Sequence, residues 1–166
     1  MFLDIGGVRS LDTLAGNSPL GAQMRTNSDG TEFLAVKLYN GTGAACVVGA
    51  PYIVTFDGDE ETNPKVATVA SLAVYQHVVV ALEATAAAAW GWFAIQGTVA
   101  LTAVEGTTDV AKDDFLKIVT ATSAVSMIKD AATRSTASFA IACEAQAANS
   151  VVNIRCFLLG DRALCG

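Results

Sequence analysis

The feature that most constrains this chain is the rhythm of its punctuation. From Glu32 onward, short β-branched or aromatic runs are broken roughly every eight to twelve residues by Gly, Asp, Asn or Pro, the spacing of strands joined by turns. The runs are EFLAVKLYN, PYIVTFDG, KVATVAS, VYQHVVVALEA, WGWFAIQGTVALTAVEG, DDFLKIVTAT, SFAIACEA and VVNIRCFLLG. They predict an all-β fold, a compact β-barrel or sandwich of about seven to nine strands between Glu32 and Gly160, with little helix outside Val125 to Thr133. The preceding stretch is rich in Gly, Asn, Ser and Asp, without a sustained hydrophobic period. Residues 1–31 therefore read as an extended N-terminal arm and residues 32–166 as the β-domain.

Period-two alternation sorts the faces of the strands. Leu72, Val74, Val78, Val80 and Leu82 share one side, with Tyr75, His77 and Glu83 opposite. In the next run Phe93, Ile95, Val99 and Leu101 share a face, which leaves Trp90, Trp92, Gln96, Thr98 and Thr102 on the polar one. Near the end, Phe139, Ile141 and Cys143 alternate against Val152, Ile154, Cys156 and Leu158. Keeping both sets on one face requires opposed residues whose numbers total an odd value, with a turn around Ala147 to Asn149. An internal echo accompanies this pattern. Ala81-Leu-Glu83-Ala84 leads into a strand ending at Gly97, and Ala142-Cys-Glu144-Ala145 into one ending at Gly160, as two related hairpins of one barrel would.

Composition narrows the partners. Hydrophobic residues are 52% and charged residues 16%, the latter against about 25% in an average domain. A chain this apolar hides surface most cheaply against other subunits. Its formal charge of −6 opposes the basic footprint that phosphate binding needs, so no nucleic-acid partner is expected. The most membrane-like stretch, Val78 to Ile95, contains Glu83 and is rich in weakly inserting Ala, so no span is expected, and the start of the chain lacks the basic and apolar regions of a secretory signal.

Catalytic and metal-binding patterns are sparse. Cys46, Cys143, Cys156 and Cys165 form no C-x-x-C pair, and the single His77 completes no zinc set with them, so free thiols and no metal or other cofactor are expected. His77 has no nucleophile near it in sequence, GNSPLG lacks the spacing of a nucleophile elbow, and Gly41-Thr-Gly43 reads as a turn between strands. Asp57, Asp59, Glu60 and Glu61 read as a solvated turn without the calcium-loop pattern, and Asp109, Asp113 and Asp114 as another. No enzyme is expected. Trp90 and Trp92, two aromatics at spacing two, suit sugar stacking, an interface anchor or burial under the chain's own loops.

In order, VKLYNGTGAA, GAPYIVTFDG, VVVALEATAAAAWGWFAIQGTV, VAKDDFLKIVT and TRSTASFAIACEAQAANSVVNIRCFLLG resemble the capsid decoration (cement) proteins of tailed bacteriophages, from about Phe33 to Gly160. The resemblance implies a small β-domain made in the host cytoplasm that binds the outer face of the capsid lattice, often as a homotrimer, and reinforces it. The expected partner is then the major capsid protein, and the expected location the virion exterior. In the arm, Phe2, Leu3, Ile5, Leu11 and Leu14 would anchor on the shell, Arg9 and Arg25 would pair with its carboxylates, and Trp90 and Trp92 would be interface candidates. The alternative is a virion-surface or tail glycan-binding module using Trp90 and Trp92.

Overall fold

The structure, a computed structural model, describes residues 22–55, 64–68, 77–104, 109–121, 124–129, 138–147 and 152–160. These form ten strands in one sheet and no helix: β1 (Ala22–Thr26), β2 (Glu32–Asn40), β3 (Pro51–Thr55), β4 (Lys65–Ala67), β5 (Val78–Ala81), β6 (Trp90–Val104), β7 (Phe115–Ala121), β8 (Ala124–Lys129), β9 (Ala140–Ala142) and β10 (Val152–Leu158). The chain is all-β, and eight of the ten strands fall inside the eight runs.

Two strands depart from the sequence reading. β1 lies in the stretch assigned to the arm, where it pairs antiparallel with β2 from Ala22↔Val36 to Thr26↔Glu32. Its sequence AQMRT alternates only over Ala22 to Arg25, too short a run to signal a strand, and Met24 stays exposed, so the sheet gains a strand without demanding a second buried row. β8 occupies part of the region left open to helix. It pairs antiparallel with β7 from Leu116↔Lys129 to Ala121↔Ala124 and parallel with β6 at Val104↔Met127, so tertiary pairing overrides weak local propensity.

The pairing closes on itself twice. β2, β4, β3, β5 and β6 follow one another, and β2 returns to β6 from Phe33↔Gly97 to Tyr39↔Trp90. β6, β10, β9, β7 and β8 then form a second ring closed by β8 on β6. β6, with 15 residues, belongs to both rings. Closure removes strand edges that would otherwise offer unpaired backbone to other chains.

The two rings are copies of one unit. Tyr52↔Val79 in the first corresponds to Leu116↔Ala140 in the second, Val54↔Val66 to Ile118↔Met127, and Ala81↔Phe93 to Ala142↔Cys156. The parallel contact Asn40↔Val66 corresponds to Val104↔Met127. Loop bonds repeat as well. Cys46 N donates to Thr85 O at 2.8 Å as Val110 N does to Gln146 O at 2.9 Å, and Leu82 N to Trp92 O at 3.0 Å as Cys143 N does to Arg155 O at 2.8 Å. The ALEA and ACEA strings mark one corner of this unit: Glu83 accepts from Trp92 N and Glu144 from Arg155 N. Gly97 and Gly160, which close the two echoed runs in sequence, both have positive φ, 95° and 71°, but β6 does not end at Gly97 as expected and continues through it to Val104, where it pairs with β10 and β8.

Duplication explains the burial. Leu38, Tyr52, Val66, Val79, Ala81 and Phe93 form one cluster of the first unit. Their counterparts Leu101, Leu116, Ala140, Ala142 and Cys156 share a larger cluster with the opposite side of the first unit, Phe33, Ala35, Ile53, Val78, Val80 and Ala94. All four β5 residues are thus buried, so this strand does not divide into an apolar and a polar face.

The reading of β6 is corrected for a related reason. A register shift places three β6 residues, Ala94 to Gln96, against Leu34 and Ala35, and this bulge reverses the alternation. Phe93 therefore belongs to the smaller cluster while Ala94, Val99 and Leu101 belong to the larger. In β9 and β10 the register is even, Cys156↔Ala142 and Leu158↔Ala140, so β9 contributes its two alanines to the core and Ile141 stands opposite Phe157. Phe139 is still buried, just ahead of the strand.

Candidate functional site

Of the residues nominated from sequence, Phe2, Leu3, Ile5, Arg9, Leu11 and Leu14 lie outside the described residues, as do Asp57, Asp59, Glu60, Glu61 and Cys165. Arg25, Trp90 and Trp92 come together at the β1–β2–β6 ladder. The Arg25 guanidinium lies over the Trp92 ring, 4.4 Å from its centroid, and bonds Gln23 Oε1 at 3.4 Å. Trp90 meets Tyr39 edge to face at 5.5 Å. Both tryptophans are half-buried, and Trp92 packs against the larger core cluster. A guanidinium over an indole face is itself a favourable contact. Arg25 is therefore engaged within its own chain, and a sugar stacking on that face of Trp92 would have to displace it.

The polar groups of the site hold the chain's own loops. Asn40, fully buried at the end of β2, donates through Nδ2 to the carbonyls of Ala44 at 2.8 Å, Thr85 at 2.9 Å and Ala86 at 3.1 Å, and accepts at Oδ1 from Thr42 N and Oγ1. One side chain thereby ties the Gly41-Thr-Gly43 turn to the alanine-rich loop before β6. Sequence reasoning passed over Asn40; the available signal was Asn-Gly-Thr, an Asn followed two residues on by a hydroxyl that its amide can hold. The next turn is secured differently in each unit. Val47 N donates to Tyr52 Oη at 2.8 Å, whereas Ala111 N donates to Asp114 Oδ2 at 2.7 Å. Gly49 (φ 77°) and Asp113 (φ 73°) occupy the same left-handed position in the two turns.

A charged cluster ties the β1–β2 turn to the second unit. Arg155 on β10 bonds Asp29 and, at 2.5 Å, Glu144 Oε1, while Asn27 Nδ2 donates to Thr98 O at 2.7 Å. Asp29 is held below the usual carboxylate range first by the Thr31 hydroxyl and amide that donate to it, then by Arg155. Glu144 is lowered chiefly by the Arg155 hydrogen bond, and Arg155 is raised in return.

The thiols are shielded. Cys46, Cys143 and Cys156 are free, and burial pushes each of them up, Cys156 furthest. A thiol raised this way stays protonated at neutral pH and is a poor nucleophile. His77 is exposed, and its carbonyl accepts from Val54 N at 2.9 Å. Among the described residues no group of three or more His, Cys, Asp or Glu is placed to hold a metal ion, and no helix is long and apolar enough to cross a membrane.

The remaining chemistry of the described surface is apolar. Met24, Val47, Val48 and Phe157 are its exposed large hydrophobic residues, at 42%, 58%, 50% and 40% of their full accessibility. Val47 and Val48 form the tip of the turn fastened by Tyr52. No family model and no curated protein matches the sequence.

Proposed function

We propose that this chain is a structural virion protein that binds the outer surface of a phage capsid lattice and stabilises it, assembling as a homotrimer on the major capsid protein. The observation that carries the reading is the contrast in the surface just described. Polar side chains such as Asn40, Glu83, Asp114 and Glu144 fasten backbone of their own chain, while Val47, Val48, Met24 and Phe157 stand in solvent on a rigid scaffold. A surface that keeps its polar groups for internal fastening and presents apolar ones is suited to docking. The resemblance of the Phe33 to Gly160 stretch to decoration proteins, the acidic charge and the low charged content support the same conclusion. A glycan-binding role through Trp90 and Trp92 has less to rest on, because Arg25 covers one face of the Trp92 ring.

The test mixes purified chain with undecorated heads of the encoding phage and measures bound copies by sedimentation, together with the temperature at which the heads release DNA. Saturable binding at a fixed number of copies per head and a raised release temperature are expected. Absence of binding rejects the proposal.

A further inference from the structure

The two copies of the unit run in succession along β6, so their equivalent loops sit at opposite ends of that strand, about 45 Å apart along an extended chain of its length. At the N-terminal end are loops 41–50 and 82–89, joined by Asn40 and by the bonds Cys46 N to Thr85 O and Gly49 N to Ala81 O, both 2.8 Å. At the C-terminal end are their counterparts, described at 109–114 and 143–147.

The ends differ in one respect. The first exposes Ala44, Ala45, Val47, Val48, Ala86 and Ala87. Its charges are Glu83, whose carboxylate accepts from Trp92 N, and Lys65, whose stem passes Gly41 at the rim. At the second, the positions of Val47 and Val48 are taken by Ala111 and Lys112, with Asp109 and Asp113 also exposed and Glu144 in the adjoining loop. The turn therefore forms equally well with a charged residue, and the fold does not require valine at its tip. Alanines are exposed at both ends, but among the described residues two adjacent exposed valines tip only the first turn, where the second carries Ala111 and Lys112, and they answer a demand from outside the chain.

We infer that this sparsely charged end, the Val47–Val48 turn with the alanine loops beside it, is the face that seats on the shell, and that its occupant is an uncharged protein surface. The inference rests on the shell-binding reading above. The exposed area is on the order of 400 Å², the size of the largest apolar patch on an ordinary monomer and about half of what each side of a stable complex buries. Such a patch is too small to hold two free molecules together by itself. It suffices on a lattice, where neighbouring copies and repeated sites sum. Small side chains let backbone approach closely, and a platform without clustered cations excludes polyanionic partners, which need them. The charged opposite end stays hydrated and sets which way the molecule stands.

The test compares V47E/V48E with A111E, which places a charge at the equivalent turn of the other end, both checked by circular dichroism and thermal melting against the parent chain. Undecorated heads of the encoding phage are the probe. Two carboxylates pressed against an uncharged surface are expected to lower affinity about thirtyfold or more, and A111E to leave it within about twofold. Unchanged occupancy by V47E/V48E overturns the inference and leaves the shell-binding reading standing, whereas a parent chain that never binds overturns both. If light scattering shows V47E/V48E dissociating an oligomer while occupancy on heads persists, the face belongs to self-association and the inference fails.

Discussion

Asn40 is the residue on which the loops of the first unit depend. Its amide donates to three carbonyls; Thr85 O also accepts from Cys46 N and Ala44 O from Thr42 Oγ1, so removal takes one donor from each of those and the Asn40 donor from Ala86 O. Asn40→Ala is expected to cost about 2–3 kcal/mol in urea denaturation, from the several buried hydrogen bonds lost together rather than from lost volume. A loss below about 0.5 kcal/mol would show that water replaces the amide. The paired glycines allow a sharper comparison. At Gly97 a Cβ would lie 2.4 Å from Glu32 O and 2.6 Å from Phe33 Cα, both backbone atoms, whereas at Gly160 the nearest contact is Gln96 Cβ at 3.0 Å. Gly97→Ala is expected to destabilise by about 3 kcal/mol or more and Gly160→Ala by about 1 kcal/mol, since only the first adds a backbone clash to the positive φ. Equal losses would mean that conformation rather than space dominates at both.

At the scale of elements, the turn between β1 and β2 is held on the second unit by Arg155. Asp29 and Glu144 both have folded-state values below those of the unfolded chain. Their contribution is therefore fully present above the unfolded carboxylate range, near pH 4, and is lost as pH falls through the depressed folded values. Stability measured from pH 6 down to pH 2 is expected to fall on that limb, and Arg155→Ala is expected to shallow the fall without changing stability greatly at pH 7, because the groups are exposed and screened. An acid limb of the same steepness in the variant would remove Arg155 from the account and leave the Thr31 donors as the cause for Asp29.

For the whole molecule, the shared strand decides cooperativity. Neither ring closes without β6, so loss of one unit removes a wall of the other. Thermal unfolding is expected to follow a single transition by circular dichroism and by tryptophan fluorescence, although both tryptophans sit on β6 at the end paired with β2. Val79→Ala in the first unit and Leu116→Ala in the second each remove a fully buried side chain, and each should lower that one transition by about 2–4 kcal/mol. Two resolved transitions, with each substitution moving only its own, would show that the units fold independently.

The sequence by itself determined the class of fold, most strand positions and the corner motif of the repeat. Turn residues and β-branched runs act locally, and Glu83 and Glu144 bond backbone within their own hairpins. The tertiary structure alone decided which faces are core. Alternation cannot reveal that Val78 to Ala81 is covered on both sides, that a bulge at Ile95 reverses β6, or that two alanines rather than Ile141 fill the β9 core. Each follows from which strand lies opposite, a relation between residues well separated in sequence, as at Leu34↔Gln96, Val80↔Ala94 and Ala142↔Cys156. β1 and β8 were hidden for the same reason, since their stability comes from the ladders they join and not from their composition. Trp90 and Trp92 were legible as unusual, yet only the fold laid Arg25 over Trp92, and only the comparison of two equivalent turns set Val47 and Val48 apart from Ala111 and Lys112. Burial and exposure are properties of the closed surface, and that surface exists once distant segments have met.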